Sequence, residues 1–319
     1  MLTLEQEIEL ALWVQRMSLG IERDLKAAAN QMLDEILASL AKTGAPTPER
    51  LQAIIDAIEQ AASEHLAPAL DEAMTDIQAM SAGVQAALVT RAKLKRVSDA
   101  WRQALESPIA ATGDLLEPFV KGMESDAVDK LTKSIQSSMV KNLTLDEAVR
   151  EAKSVVDTLK RRDIESVIAT ATQHAYNKQR EAVFKASNIK KVRCIATLDV
   201  RVCMGCAALD GKVVAIDKAP KYPLHPRCRC LTMPETELSE LLQEGATRSS
   251  EDGYLPQTMT AFDYLRKKPL SELTEAYGPT VAKAIKSEKM TNTKFRQLAL
   301  DKALKPAKIA DFANWLDKQ

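Results

Sequence analysis

The chain has 319 residues, enough for one large or two ordinary domains with ample core. Lys and Arg number 44, as do Asp and Glu, so no overall charge draws the chain to nucleic acid or an anionic membrane. No run of about 18 apolar residues could cross a bilayer, and the acidic start Met1–Trp13 lacks a signal peptide's basic region and cleavage pattern, which points to a reducing cytosol.

Aromatic residues make up 4% and glycines number 10, against abundant Ala, Leu, Lys and Glu: a helical composition. Thr3 and Gln6 form a capping box before the first helix. Leu25, Ala29, Met32, Leu33, Ile36 and Leu40 then recur at helical spacing. Thr43-Gly-Ala-Pro46 breaks this helix. Thr47 is placed to cap the next, with Pro48 at its first position and Leu51, Ile54, Ile55 and Ile58 as its buried face. Pro68 is expected to kink or end it. Helical pattern resumes through Met80, Leu88 and Leu94 to Trp101 and Leu105, with breaks at Ser107-Pro108 and Thr112-Gly113-Asp114. Thr144-Leu-Asp-Glu147 is a second capping box, leading into Ala148, Ala152, Val155, Val156 and Leu159. Such stripes serve either docking to a partner or packing within the chain, and packing is the commoner use.

Strand signals gather in residues 190–234. Val192, Cys194 and Ala196 alternate, Val213–Ile216 is a short β run after the turn signal Asp210-Gly211, and Leu231–Met233 is a last strand stopped by Pro234. Beyond Glu235 a polar loop, Glu244–Gly253, precedes helices carrying Phe262, Leu265 and Leu270, punctuated by Gly278-Pro279. The last helix has Ile309, Phe312, Trp315 and Leu316 on one face.

The chemistry-bearing residues cluster. Cys203-Met-Gly-Cys206 and His225-Pro-Arg-Cys228-Arg-Cys230 place four of five cysteines and one of three histidines within 28 positions. A C-x-x-C turn, eased by Gly205, supplies half of a tetrahedral zinc shell, and the second motif offers three further donors. Zinc takes four ligands, so Cys203, Cys206, Cys228 and one of His225 or Cys230 are the expected set. A site closed by four strong donors is structural, not catalytic, and contributes on the order of 10 kcal/mol to folding a small module. Two disulfides fit a reducing compartment poorly. A redox C-x-x-C belongs at a helix start, where this sequence instead signals a turn and strand. The fold class expected is mainly α: a long helical N-terminal body, a small α+β zinc-knuckle module and a helical C-terminal segment.

Ten basic residues from Lys185 to Arg229 face only Asp199, Asp210 and Asp217. They read either as a nucleic-acid patch or as a solvated face with internal pairs such as Asp199 with Arg201. Tyr222 alone offers stacking there, which counts against single-strand binding. His65 and His174 read as packed or surface residues, and Cys194 as a small core residue. No phosphate loop, catalytic triad order or nucleotide fingerprint occurs.

Thr197-Leu-Asp-Val-Arg-Val-Cys-Met-Gly-Cys206, then Leu209-Asp-Gly-Lys-Val213, then Tyr222-Pro-Leu-His-Pro-Arg-Cys-Arg-Cys230, resembles the Mu F-like (minor capsid, SPP1 gp7-like) family of phage head morphogenesis proteins. A weaker resemblance follows in Phe262–Pro269, Tyr277-Gly278 and Lys289-Met290. The family's helix before this core carries an Arg-Thr-Glu-like motif, where this chain has Ala171-Thr-Gln173. The resemblance implies a helical region over residues 1–140, a Mu F-like core over 141–234 and a helical segment over 235–319. It implies a non-enzymatic virion protein, made in the host cytoplasm and present in several copies in the phage head near the portal. Portal protein, major capsid or scaffolding protein and packaged double-stranded DNA are the implied partners, with genome delivery a further role. The rival reading is a zinc-stabilised HNH-like nuclease or nucleic-acid-binding module acting on phage DNA.

Overall fold

Apolar residues at every third or fourth position make one long helix, α1 (Leu4–Thr43), in the computed structural model, which describes residues 4–235, 247–300 and 308–319. Thr3 of the expected capping box lies outside the described residues. Leu25, Ala29, Met32, Ile36 and Leu40 are buried, and α1 packs lengthwise against α2 (Leu51–Ala61), α3 (Ala67–Arg91) and two later helices. The stripe thus serves packing within the chain.

Two helix boundaries differ from the sequence expectation. Helix α2 starts at Leu51 rather than Pro48, because Thr47–Arg50 closes a turn, with Arg50 N–H donating to the Thr47 carbonyl at 3.1 Å. Proline's fixed φ suits the second place of a turn as well as a first helical position. Pro68 does not end the helix. Helix α2 continues through a π turn, Ala62–Leu66, into α3. The wide turn removes the need for proline's missing N–H and relieves its ring from the carbonyl four residues back.

The helical pattern expected from Met80 to Leu105 splits. Lys93 takes a left-handed φ of 57° and stops α3. The Gln85 side chain then accepts from Val97 N–H at 2.6 Å, and Ser187 Oγ from Lys95 N–H at 2.8 Å, before α4 (Ala100–Glu106) begins. After α5 (Leu116–Val140), the Thr144–Glu147 capping box opens α6 (Leu145–Thr158) as the sequence indicates. A second π turn, Leu159–Ile164, leads into α7 (Glu165–Ala186). Helix α7 is central: it packs on α1, α3, α4 and α5 and is buried on most of its circumference.

The chain then forms a sheet of order β2-β1-β3, with β1 (Lys191–Ile195) antiparallel to both β2 (Val213–Ala215) and β3 (Leu231–Glu235). Pro234, expected to stop the last strand, lies inside β3 opposite Val192. An edge strand tolerates it because its outer side needs no donor. Of the expected polar loop Glu244–Gly253, the first three residues lie outside the described residues. The rest builds a hairpin, β4 (Thr247–Ser250) and β5 (Gly253–Pro256), closed where Gly253 adopts φ +104°.

Short helices follow: α9 (Ala261–Lys267), α10 (Leu270–Tyr277), α11 (Pro279–Lys286), α12 (Asn292–Ala299) and α13 (Ile309–Leu316). In α13, Phe312 and Trp315 are buried, but Ile309 is 58% exposed and does not share their face. Two apolar cores result. One fills the space among α1–α7 and reaches Val192 and Ile216. The other joins residues 196–230 to α9–α13, around a stacked Phe262–Phe295 pair with ring centroids 4.9 Å apart. The fold class read from the sequence, mainly α with a small β component, is borne out.

His174 lies inside α7, 1% exposed, with Nε2 donating to the Ala104 carbonyl at 3.0 Å. Burial, outweighing that bond, pulls its pKa down to about 4. A depressed histidine binds fewer protons folded than unfolded, so it contributes stability above about pH 6.5 that is lost as pH falls towards 4. Histidine-ring NMR titration should find His174 neutral down to about pH 4; a midpoint near 6.5 would refute its buried packing.

Candidate metal centre

Cys203 does not sit in a bare turn. It caps the short helix α8 (Met204–Leu209), its Sγ accepting the Cys206 N–H at 3.2 Å. The sequence expectation of a C-x-x-C outside a helix start is therefore corrected. Gly205 has helical geometry, and its role is space: a Cβ there would meet Leu300 Cδ2 at 3.1 Å.

The approach to α8 is fixed by Asp199. Its carboxylate accepts the Arg201 N–H at 2.9 Å and both arms of the Arg229 guanidinium, at 2.5 and 3.1 Å. The ion pair thus runs to Arg229, not to Arg201 as the sequence suggested, and it ties the first cysteine motif to the second. Helix α7 positions that second motif. Gln173 Nε2 and Asn177 Nδ2 donate to the Cys230 carbonyl at 2.8 and 3.3 Å, and Arg180 donates to the Thr232 carbonyl at 3.0 Å. Thr170 Oγ1 accepts the Arg227 N–H at 3.0 Å, where Arg227 has φ +58°. The Arg227 guanidinium reaches the Arg161 carbonyl, 3.0 Å away in the second π turn.

These supports bring all five sequence-predicted donors together. Cys203, Cys206 and His225 have ligand atoms within 4.8 Å of one another, as do Cys206, Cys228 and Cys230, so Cys206 is common to both groups. Cys206 Sγ lies 3.6 Å from His225 Nε2 and 3.8 Å from Cys228 Sγ. All five cysteines are free thiols, and 3.8 Å is far beyond the S–S bond length of about 2.05 Å. Zinc bonds of about 2.3 Å to sulfur and about 2.0–2.1 Å to nitrogen set tetrahedral edges of about 3.8 Å for S···S and about 3.6 Å for S···N. The two spacings at Cys206 match those edges, and the five donors suit zinc in number and chemistry.

The electrostatics point the same way. The hydrogen bond with Cys206, aided by the His225 ring, brings Cys203 down to about 5 against the opposing effect of burial. Hydrogen bonds with Cys206 and Cys230 also lower Cys228. Cys206 is driven upward by hydrogen bonds with Cys203, Cys228 and Cys230. Cys230, drawn down by Cys206, is raised overall through Cys228 and complete burial. Hydrogen bonds to Cys203 and Cys228 lift His225 to about 11. Thiols this close cannot all ionise on their own; a cation among them allows it.

Five of the ten surrounding basic residues are paired within the chain. Lys185 and Lys221 pair with Glu181, Arg193 with Glu235, Arg227 with Glu165 and Arg229 with Asp199. That favours the solvated, internally paired face over a nucleic-acid patch. His65 lies away from this site, paired with Glu35 at 2.7 Å, and Cys194 is a fully buried core residue, as expected.

In the sequence Asp210 figures as part of a turn and as one of three acidic residues near the cluster, with no hint of its partners. It is fully buried and accepts the Ala196 N–H at 2.8 Å, the Ala261 N–H at 2.7 Å and the Arg248 guanidinium at 2.8 and 3.1 Å. Arg248 continues to the Ala196 and Met259 carbonyls, while Arg296 holds the Asp210 carbonyl at 2.7 Å. Tyr277 Oη donates to the Val202 carbonyl at 2.6 Å. These contacts seat α8 on the C-terminal helices.

Fold and site together define a mainly helical protein built around a Cys/His cluster of metal-centre type. Residues 129–233 match the family described as Phage Mu protein F like protein, a span from within α5 to β3 that contains the whole cluster. The resemblance to Mu F-like phage head morphogenesis proteins is thereby borne out over that span. The weaker resemblance at Phe262–Met290 lies beyond it. No curated protein and no solved structure matches the chain.

Asp210→Ala should cost about 3–5 kcal/mol in urea unfolding, because it strands the buried Arg248 guanidinium. A loss below about 1 kcal/mol would show that the pair does not organise this half of the fold.

Proposed function

We propose that this chain is a structural minor component of a tailed-phage head, acting with the portal during head assembly, and that its cysteine cluster holds one structural zinc ion. The observation that carries the reading is the coincidence of the family match over residues 129–233 with five converging donors inside that span. On this reading the helical region of residues 1–140 meets portal, capsid or scaffolding protein. The zinc would lock α8, the 222–230 segment and the C-terminal helices into one rigid unit.

The nuclease reading has less support. It needs a histidine base beside a carboxylate or a second histidine close to the cysteine cluster. His225 instead faces thiols, His174 is buried against α4, and His65 pairs with Glu35 elsewhere. Metal-dependent DNA cleavage lost in His225→Ala would reverse this preference.

Two measurements test the main reading. The protein should be found in purified phage heads and copurify with the portal protein; its absence from procapsids and virions alike would overturn the assembly role. Elemental analysis of reduced protein should give about one zinc per chain. In Cys206→Ser, hydrogen exchange should rise across residues 196–230 and 261–299 while α1–α6 stay protected. Zinc-free wild-type protein with unchanged protection there would remove the structural-metal role.

A further inference from the structure

Five donors meet where four complete a shell, and His225 and Cys230 differ in how they are held. His225 is half-exposed at the rim of the cluster. Its Nδ1 lies 2.8 Å from the Pro226 carbonyl oxygen. A carbonyl only accepts, so Nδ1 carries a proton, and it is Nε2 that would give up its own to bind a metal. That nitrogen faces Cys206 Sγ at 3.6 Å. Histidines that bind metal commonly have their other nitrogen fixed in this way by a backbone carbonyl.

Cys230 is 3% exposed and approaches from the α7 side. Its thiol forms a second group with Cys206 and Cys228, all within 4.8 Å. Its carbonyl is gripped by Gln173 and Asn177, so its main chain is anchored independently of any metal. The His225 segment is anchored differently, through the Arg227 N–H and guanidinium on Thr170 and Arg161 at a partly exposed surface.

Resting on the zinc reading above, we propose that Cys203, Cys206, His225 and Cys228 are the resident ligands and that Cys230 is a standby thiol that replaces His225. In the exchange, the His225 Nε2 bond to the metal breaks and a Cys230 Sγ bond forms. The Cys230 proton passes to the departing imidazole, and no oxidation is involved. The bound unit thus goes from three thiolates and a neutral imidazole to four thiolates. Residues 224–227 can then lift from α7, as when a partner binds there, while the metal stays in place.

Cobalt(II) substituted into the full-length reduced protein tests this, since its charge-transfer intensity counts thiolate ligands. Wild type and Cys230→Ser should share a three-thiolate spectrum. His225→Ala should gain the four-thiolate spectrum and keep tight binding. His225→Ala with Cys230→Ser leaves three thiolates and should bind more weakly than either single variant. Reduced charge-transfer intensity in Cys230→Ser would put Cys230 in the resident shell. A three-thiolate spectrum in His225→Ala would remove the standby role. Sulfur counting by X-ray absorption on zinc-loaded wild type needs no substitution: three sulfurs support the assignment and four overturn it. If wild type itself gives no tetrahedral cobalt spectrum, the zinc reading fails rather than this one.

Discussion

The buried Asp210 carboxylate is the constraint on which the second half of the molecule depends. A charge with no solvent contact is tolerable only when paired and fully hydrogen-bonded. Here two backbone N–H groups and a guanidinium meet that demand, drawn from three segments distant in sequence: the exit of β1, the β4 strand and the start of α9. Satisfying one carboxylate therefore fixes how the hairpin and the C-terminal helices sit on α8. Cys206 follows, because it lies on α8 four residues before Asp210, whose N–H donates to the Cys206 carbonyl at 3.1 Å.

Helix α7 does the complementary work from the first core. Thr170, Gln173, Asn177 and Arg180 recur at three- and four-residue spacing, so they form one polar row along a helix otherwise packed in apolar surroundings. The row meets the backbone of Arg227, Cys230 and Thr232 in turn. An amide can donate to the Cys230 carbonyl and a carboxylate cannot, so this chain uses Gln173 as a backbone clamp.

What was legible in the sequence was local. The Thr144–Glu147 capping box, the Leu25–Leu40 stripe and the strand alternation at Val192–Ala196 depend on neighbours within a few residues, and their spacing reveals them. The five donors were legible because cysteine is scarce elsewhere in the chain. The misses were tertiary. A π turn that lets a helix pass Pro68 depends on the surrounding bundle. The β4–β5 hairpin has little β-prone composition and is held by the Arg248 side chain reaching Asp210. Arg229, not the adjacent Arg201, pairs with Asp199 because the two motifs converge in space. Each needed a partner 30 or more residues away, or a neighbouring helix, that no local pattern encodes.

The second core changes what a metal here would be for. A segment too short to bury its own apolar surface needs a metal to fold. Residues 196–230 do not stand alone, since Val202, Ala207 and Cys228 share a core with Phe262, Phe295 and Phe312. The cluster sits instead where the two cores meet: Cys230 is held through its carbonyl by α7, and Cys206 belongs to the helix seated on α9 and α12. A cation bridging Cys206 and Cys228 would therefore tie α8 to the 222–230 segment inside the second core, on the side that α7 holds. On this geometry the metal would reinforce a core that already has an apolar interior, rather than supply the only means of folding it.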